Sequence, residues 1–253
     1  MRKNIFISLA KGTFRVSQGD HGFKTFDFYN FDDLTPTIET TEILDGKTKE
    51  NVSVLVSPDA IKISKRGVSY APVIHHVFSN LEKNLKLFRQ FLRTEFSTSR
   101  ILKPRVIVVI PDDYMEADRR LTLEFLTETR LFKQIIFSET APLIAAPDEL
   151  EHCITITQST RNLAVSWLHY NGVVKQELSP LGSYSVEQVN ALITSWCNQL
   201  TTPRPTALLF GDSLDTLASL GSVVSEDRFF PTFNNIGILL GFNGVRKLSQ
   251  QYR

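Results

Sequence analysis

Cysteine is scarce in this chain. Cys153 and Cys197 are the only two among 253 residues, too few and too far apart for a disulfide framework or a cysteine-based zinc site. Two reduced thiols in a cytosolic protein are the expectation. Long apolar runs are missing as well. The longest, around Val106 to Ile110 and Ile236 to Leu240, fall far short of the ~20 residues that a membrane-spanning helix needs. Met1-Arg-Lys-Asn4 leads into a short strand-like run and then Lys11, so neither a signal peptide nor a transmembrane segment is expected and the location expected is cytoplasmic. Neither sign of charge dominates: 28 basic against 27 acidic residues give a net charge of +1. Strong attraction to polyanions is not implied, and nucleic acid is not an expected partner.

Several chemical signatures are absent too. No Gly-x-Ser-x-Gly elbow, Gly-x-x-x-x-Gly-Lys-Ser/Thr loop, Gly-x-Gly-x-x-Gly or His-Glu-x-x-His occurs. Of the five histidines, His75 and His76 are adjacent. On a helix they would point about 100° apart, and no carboxylate or cysteine stands at ligand spacing. No metal site and no catalytic residue is assigned.

What is present is a globular composition, 42% hydrophobic and 22% charged, long enough for one large domain or two linked lobes. The stretch that organises the rest is Lys103 to Ala146. Val106-Ile-Val-Val-Ile110 is an apolar run between Pro104 and Pro111, a buried strand. Asp112-Asp113 is turn chemistry at a helix entry, where carboxylates are most often caps. Glu116 to Leu131 carries Leu121, Phe125 and Leu126 on one face, a helix. Asp118 with Arg119-Arg120 reads as a solvated face. Phe132 to Phe137 is a second strand, and Thr140 to Ala146 a short small-residue helix. Two strands joined by such a helix form a parallel crossover.

This stretch, "KPRVIVVIPDDYMEADRR" followed by "IIFSETAPLIAA", is similar to the segment linking the two lobes of MreB-type bacterial actins and the seventy-kilodalton chaperones. The resemblance implies an α/β, two-lobed, actin-like (ribonuclease H-like) fold with mixed sheets flanked by helices. Its lobes would be residues 1–140 and 141–253.

The rest of the chain fits that frame. Ile5 to Leu9, Thr13 to Val16 and Phe23 to Phe28 form an N-terminal meander with alternating aromatics. Asn30 to Lys49 is a polar excursion with one short strand near Glu42 to Leu44, and Val52 to Val56 is strand-like. Pro72 opens a long helix with Val73, Val77, Leu81, Leu85, Phe88 and Leu92 as its apolar stripe. Lys83, Lys86, Arg89 and Arg93 form its solvated side. Cys153 to Thr157, Leu163 to Leu168 and Val173 to Leu178 repeat the meander, with Asn171-Gly172 as a hairpin turn. Ser185 to Leu200 is an amphipathic helix with Ser185 and Gln188 as a capping box. Thr206 to Phe210 is a buried strand, a helix covers Leu214 to Leu220, and Val223-Val224 is a last strand. Asn235 to Gly244 resembles the family's final helix. In MreB-type proteins some tens of residues separate the counterparts of the last helix and strand; here only Thr201 to Pro205 does, so one peripheral subdomain is lacking.

In the superfamily, two hairpin turns present backbone N–H groups to ATP phosphates, each turn preceded by a magnesium-holding aspartate. The resemblance places the first aspartate at Ser8 and its first glycine at Ala10; Gly12 and Thr13 match. Arg15 stands where conventional actins carry a phosphate-contacting lysine, and Lys11 is a second cation there. The second aspartate falls at Thr155, the glycine run at Thr157-Gln158-Ser159, and Thr160 matches. The water-positioning acid falls at Ala141, with Glu139 two residues earlier. The adenosine turn is Gly211-Asp212. A nucleotide, if bound, would therefore meet Lys11, Gly12, Thr13, Arg15, Thr160, Gly211 and Asp212. Loss of both acids removes the charge that balances a divalent cation. The expectation is a pseudo-ATPase with no cofactor required, ATP binding without hydrolysis remaining open. It would be a scaffold, filament subunit or adaptor in a bacterial cytoskeletal, division, segregation or secretion assembly, with protein partners or self-association. A divergent polymerising ATPase using Glu139 or Asp212 and a sugar- or acetate-kinase-like enzyme are the alternatives. Candidate contact surfaces are the aromatic N-terminal strands and Phe229-Phe230-Pro231, for which a core plug is the competing and preferred reading.

Overall fold

A computed structural model describes residues 5–18, 22–27, 40–45, 48–53, 81–96 and 103–229. The Pro72 helix start, His75-His76, Phe230-Pro231 and the segment Asn235 to Gly244 lie outside them.

The N-terminal meander is β1 (Ile5–Ser8), β2 (Phe14–Gln18) and β3 (Lys24–Phe26). A separate antiparallel pair follows, β4 (Thr40–Asp45) and β5 (Thr48–Ser53); β4 covers the strand expected near Glu42 to Leu44, and β5 starts four residues before the run expected from Val52. Helix α1 (Leu81–Phe96) precedes β6 (Arg105–Ile110), α2 (Glu116–Glu128), β7 (Gln134–Glu139) and α3 (Thr140–Ala145). The second half runs β8 (His152–Gln158), β9 (Asn162–His169), β10 (Gly172–Pro180), α4 (Val186–Leu200), β11 (Thr206–Phe210) and β12 (Ser222–Val223).

Two five-stranded sheets result, ordered β3-β2-β1-β6-β7 and β10-β9-β8-β11-β12. In each, three consecutive strands pair antiparallel and two later strands add in parallel. This repeat of one sheet order is the two-lobed architecture that the resemblance implies. Five residues, Thr201 to Pro205, join α4 to β11, so no subdomain intervenes there.

Side chains alternate along β1 and β6, and both faces are covered, which is why these strands read as continuous apolar runs. Ile5, Ile7, Val106, Val108 and Ile110 face α1 and α2, where Phe14, Phe88 and Phe125 meet edge to face or tilted. Phe6, Ile107 and Val109 face the other way. They pack with Leu143 and Ile144 of α3 against Cys153, Leu168, Leu208 and Phe210 of the second sheet. The far face of that sheet is closed by Val189, Ile193 and Trp196 of α4. Helix α3 is therefore sandwiched between the two sheets. Its small residues are what allow the lobes to approach.

Helix ends account for most boundary differences. α2 stops at Glu128 because Thr129 caps it, with Oγ1 donating to Leu126 O at 2.6 Å, and Arg130 turns left-handed at φ 58°. The following strand then starts at Gln134 instead of Phe132. Arg89 leaves the solvated side of α1 to donate to Glu128 O and to Thr129 O (3.2 Å), completing the C-terminus of α2. The Ser185–Gln188 capping box opens α4 as expected, with bonds of 3.3 and 2.8 Å.

Two proposed contact surfaces are core instead. Phe6, Phe14 and Phe26 are buried. Phe229 is fully buried with its ring 5.3 Å from that of Phe210, the plug reading.

Candidate functional site

Three turns converge where the lobes meet. The first, Leu9 to Thr13, is closed by Gly12 N donating to Leu9 O at 2.9 Å, with Gly12 at φ +74°, a conformation that favours glycine. The second, Ser159 to Arg161, joins β8 to β9. The third, Gly211 to Ser213, follows β11.

They touch directly. A Cβ on Gly12 would stand 2.2 Å from the Thr160 methyl, and one on Gly211 would stand 2.6 Å from Gln158 Cβ. Gln158 Oε1 accepts from Ser213 N at 3.1 Å. Lys11 forms an ion pair with Asp212 and lies 5.8 Å from the centre of the Phe210 ring. So the turns carrying Lys11 and Gly12, Thr160, and Gly211 and Asp212 lie side by side, with Lys11 on Asp212 and Gly12 beside Thr160. Thr13 is exposed at its turn. Arg15 is drawn elsewhere: it pairs with Glu226 and stacks 5.3 Å from Phe23.

Several backbone donors of these turns are engaged within their own turn. In the second turn Ser159 N donates to Asn162 O at 2.9 Å, while Arg161 N and Asn162 N both donate to Ser159 Oγ at 3.0 Å. That hydroxyl donates in turn to Asp113 Oδ2 at 2.7 Å. Asn162 Nδ2 donates to the same carboxylate oxygen at 2.8 Å. Arg161 reaches Asp113 O at 2.8 Å, Asp113 Oδ2 at 3.3 Å and Asp118 Oδ2 at 3.1 Å. The second turn is thus pinned to the entry of α2 in the opposite lobe.

This overturns the solvated-face reading of Asp118, which is 1% exposed. It accepts from Met115 N at 3.0 Å, capping α2 from within, and from Arg161. Arg119 pairs with Glu139, half-buried at the start of α3, which occupies the acid named as a stand-in for the lost one at Ala141.

Asp112 does cap a helix, but not the one it precedes. Its Oδ1 accepts from Ala141 N of α3 at 2.9 Å, and its Oδ2 accepts from the Thr157 hydroxyl at 2.5 Å. Burial pushes its pKa up to about 7, opposed by these two hydrogen bonds and assisted by Glu139 and Asp113. The carboxyl is a joint between the lobes whose charge is poorly solvated.

Ser8 and Thr155 stand where the resemblance led to an expectation of aspartates. Ser8 Oγ donates to Glu226 Oε1 at 3.0 Å. The Thr155 hydroxyl is buried without a hydrogen-bond partner among the described residues. The buried acids nearby, Asp113 and Glu226, each carry a guanidinium partner, Arg161 and Arg15. Asp112, a third buried acid nearby, has no cationic partner among the described residues, and Asp113 Oδ1 accepts no hydrogen bond there; positions 8 and 155 themselves offer a hydroxyl where a carboxylate would hold a hard cation. The space left, lined by Ala10, Asp112, Asp113, Thr157 and Gln158 among others, is about 200 Å³ and includes open solvent.

Another cluster has metal-binding residue types. Potential ligand atoms of Glu151, His152 and His169 lie within 4.8 Å of one another. Trp167 Nε1, however, donates to His152 Nδ1 at 3.3 Å, which leaves a neutral ring's proton on Nε2. A metal-bound histidine needs the reverse, one nitrogen bare toward the metal and the other donating outward.

Asp113, Asp118, Gln158, Arg161, Asn162 and Glu226 were not singled out from sequence as site residues. Asp113 and Asp118 stood in view as local caps or surface charges; their partners lie 43 to 49 positions away. Glu226 sits in a 3-10 turn, Glu226–Arg228, 218 residues from Ser8, and no motif marks it.

No protein-family model matches the chain, and no curated protein matches it. Among solved structures, it is similar to MreB 5 of Spiroplasma citri bound to AMPPNP, with 14% identity and a TM-score of 0.41 over 78% of this chain and 57% of that one. It thus spans just over half the length of that protein. It is also similar to the filament structure of AlfA from the B. subtilis plasmid pLS32, with 12% identity and a TM-score of 0.47 over 94% of this chain and 98% of that one. An AlfA filament bound to AMPPNP gives 11% and 0.45 over the same shares. Each likeness is one of overall fold.

Proposed function

We propose that this chain is a non-catalytic, actin-like protein that works through its surfaces, as a scaffold, filament subunit or adaptor. One observation carries the reading. The turns that would cradle a nucleotide's phosphates leave no room between them, Gly12 standing close against the Thr160 methyl, and the second turn is held by Arg161 to Asp113 and Asp118 at the entry of α2. A ligand would have to break a buried ion-pair network to reach those N–H groups, and such networks are costly to leave half-satisfied. The lack of carboxylates at Ser8 and Thr155 supports the same view. Bacterial cell-shape, division, segregation or secretion assemblies are the settings that the resemblance at Lys103 to Ala146 suggests, with the cytoplasm as the place.

The test is calorimetric titration of the purified chain with ATP and Mg²⁺, beside a steady-state phosphate-release assay. No binding heat and no release above background are expected. Mg²⁺-dependent turnover overturns the reading.

A second reading has its own observation. Asp112 lies buried at the lobe junction with its pKa near neutrality, a setting in which a carboxyl can exchange protons at working pH. A divergent nucleotide-dependent ATPase would use it, and turnover lost in Asp112→Asn would favour that alternative.

A further inference from the structure

Exposed large apolar side chains are concentrated in one place. Of the seven among the described residues, five (Tyr170, Val173, Val174, Leu178 and Leu181) lie on β10 or beside its ends. β10 is an outer strand of the second sheet, paired only with β9 among the described residues. It has nine residues, against three, six and two for the outer strands β3, β7 and β12. A long, part-apolar edge is a template for another strand.

The strand's own sequence says which partner fits. Leu181 N donates to Arg161 O at 3.0 Å. Backbone direction alternates along an antiparallel strand, so Gln176 and Leu178 turn their N–H and C=O groups away from β9. Val174 is the extra residue of a bulge between Val173 and Lys175, with no register partner in β9. Now pair β10 antiparallel with a second β10 about a two-fold axis through Gln176. Gln176 meets Gln176 as a hydrogen-bonded pair, and Lys175, which within its own chain donates to Gln199, meets Glu177; the bulge at Val174 ends the regular register there. Each lysine faces a glutamate, twice over by symmetry. Such cross-strand pairs are favourable and like charges opposite each other are not. A lone edge lysine would repel a second copy; Lys175-Gln176-Glu177 instead complements itself.

We infer that the β10 edge is an isologous contact for a second copy of this chain, joining two second-lobe sheets into one continuous sheet. The inference does not rest on the state of the cleft.

Sedimentation velocity over a range of protein concentrations tests it. The wild type is expected to dimerise reversibly. Lys175→Glu and Glu177→Lys should each raise the dissociation constant about tenfold, since both symmetric pairs become repulsive, and the double reversal should restore it. Gln176→Cys in a Cys197→Ser background should form a covalent dimer on mild oxidation, because hydrogen-bonded antiparallel Cα atoms stand about 5.5 Å apart. Val223→Cys, at the sheet's other edge, should not. A wild type that stays monomeric, single reversals without effect, a double reversal that fails to restore, or no cross-link at 176 would each overturn the proposal. Circular dichroism of every variant separates loss of contact from loss of fold. Nucleotide titration of Lys175→Glu protein keeps this result separate from the cleft reading.

Discussion

Gly12 and Thr160 meet closely across the two lobes: a Cβ added at position 12 would lie 2.2 Å from the Thr160 methyl. Two obstacles coincide there, the contact and the left-handed backbone at φ +74°. Gly12→Ala should therefore destabilise in two separable parts. Thr160→Ser, which deletes the methyl, should relieve the contact but leave about 1–2 kcal/mol of backbone strain. A double-mutant cycle by urea unfolding measures the difference. Equal cost of Gly12→Ala in both backgrounds would show that the turns do not touch.

Arg161 holds two buried acids from the other lobe. Arg161→Met should lower stability by about 3–5 kcal/mol, the scale for breaking a buried pair and stranding its partner. Adding Asp118→Asn should recover part of that loss. Thermal unfolding in low and high salt checks both, and a change below about 1 kcal/mol would place Arg161 at the level of a surface pair.

Asp112 sets a pH dependence with a definite sign. Its folded pKa, about 7, lies above the ordinary 3.8, so the folded state holds the proton more tightly than the unfolded chain. The contribution is fully present below about pH 4. It declines as pH rises and is lost once pH passes about 7, a total of roughly 4 kcal/mol. Asp112→Asn keeps an acceptor for Ala141 N and carries no charge. It should unfold at a higher temperature than the wild type at pH 8 and show little advantage at pH 4. Parallel melts at the two values decide this.

The sequence made the sheets legible and the site only in part. Val106 to Ile110 and Leu163 to Leu168 are apolar runs between turn signals, and period and punctuation are local properties. Ser185 and Gln188 announced a helix start for the same reason. Asp118 did not reveal its role, because beside Arg119 and Arg120 it has every mark of a surface charge. Only the fold brings Arg161 to it. The aromatic N-terminal strands misled in the opposite direction. Alternation does not show what covers each face: Phe14 and Phe26 pack under α1 and α2, and Phe6 packs on the opposite face against α3 and the second sheet.

Ser8 faces Glu226, and that limits any attempt to restore an acid there. Ser8→Asp would bring a second carboxylate against Glu226 where a hydroxyl now donates at 3.0 Å. One of them must then hold a proton or lose its place. The variant should be less stable than the wild type, and the deficit should be larger at pH 8 than at pH 5. Equal melting temperatures at pH 8 would mean that Glu226 does not contact position 8.

The two thiols should differ in reactivity. Burial, with Asp148 nearby, pushes the Cys153 pKa up to about 12, and the thiolate is the reactive form. Cys197 is only part-buried. Iodoacetamide at pH 8 should label Cys197 alone in the native protein and both in urea, as read by peptide mass spectrometry.

The shared strand order of the two sheets hides a difference in how each must be assembled. β8, β9 and β10 follow one another through short turns between His152 and Pro180. The centre of the first sheet instead pairs Ile5 with Val106, closing a loop of about a hundred residues before any contact rewards it. During synthesis β1 emerges first and waits longest for its parallel neighbour, its apolar face uncovered meanwhile. The second meander can pair within a few turns of leaving the ribosome. A chain laid out as two like halves thus has a late-closing half and an early-closing one, and the late half is the one synthesised first.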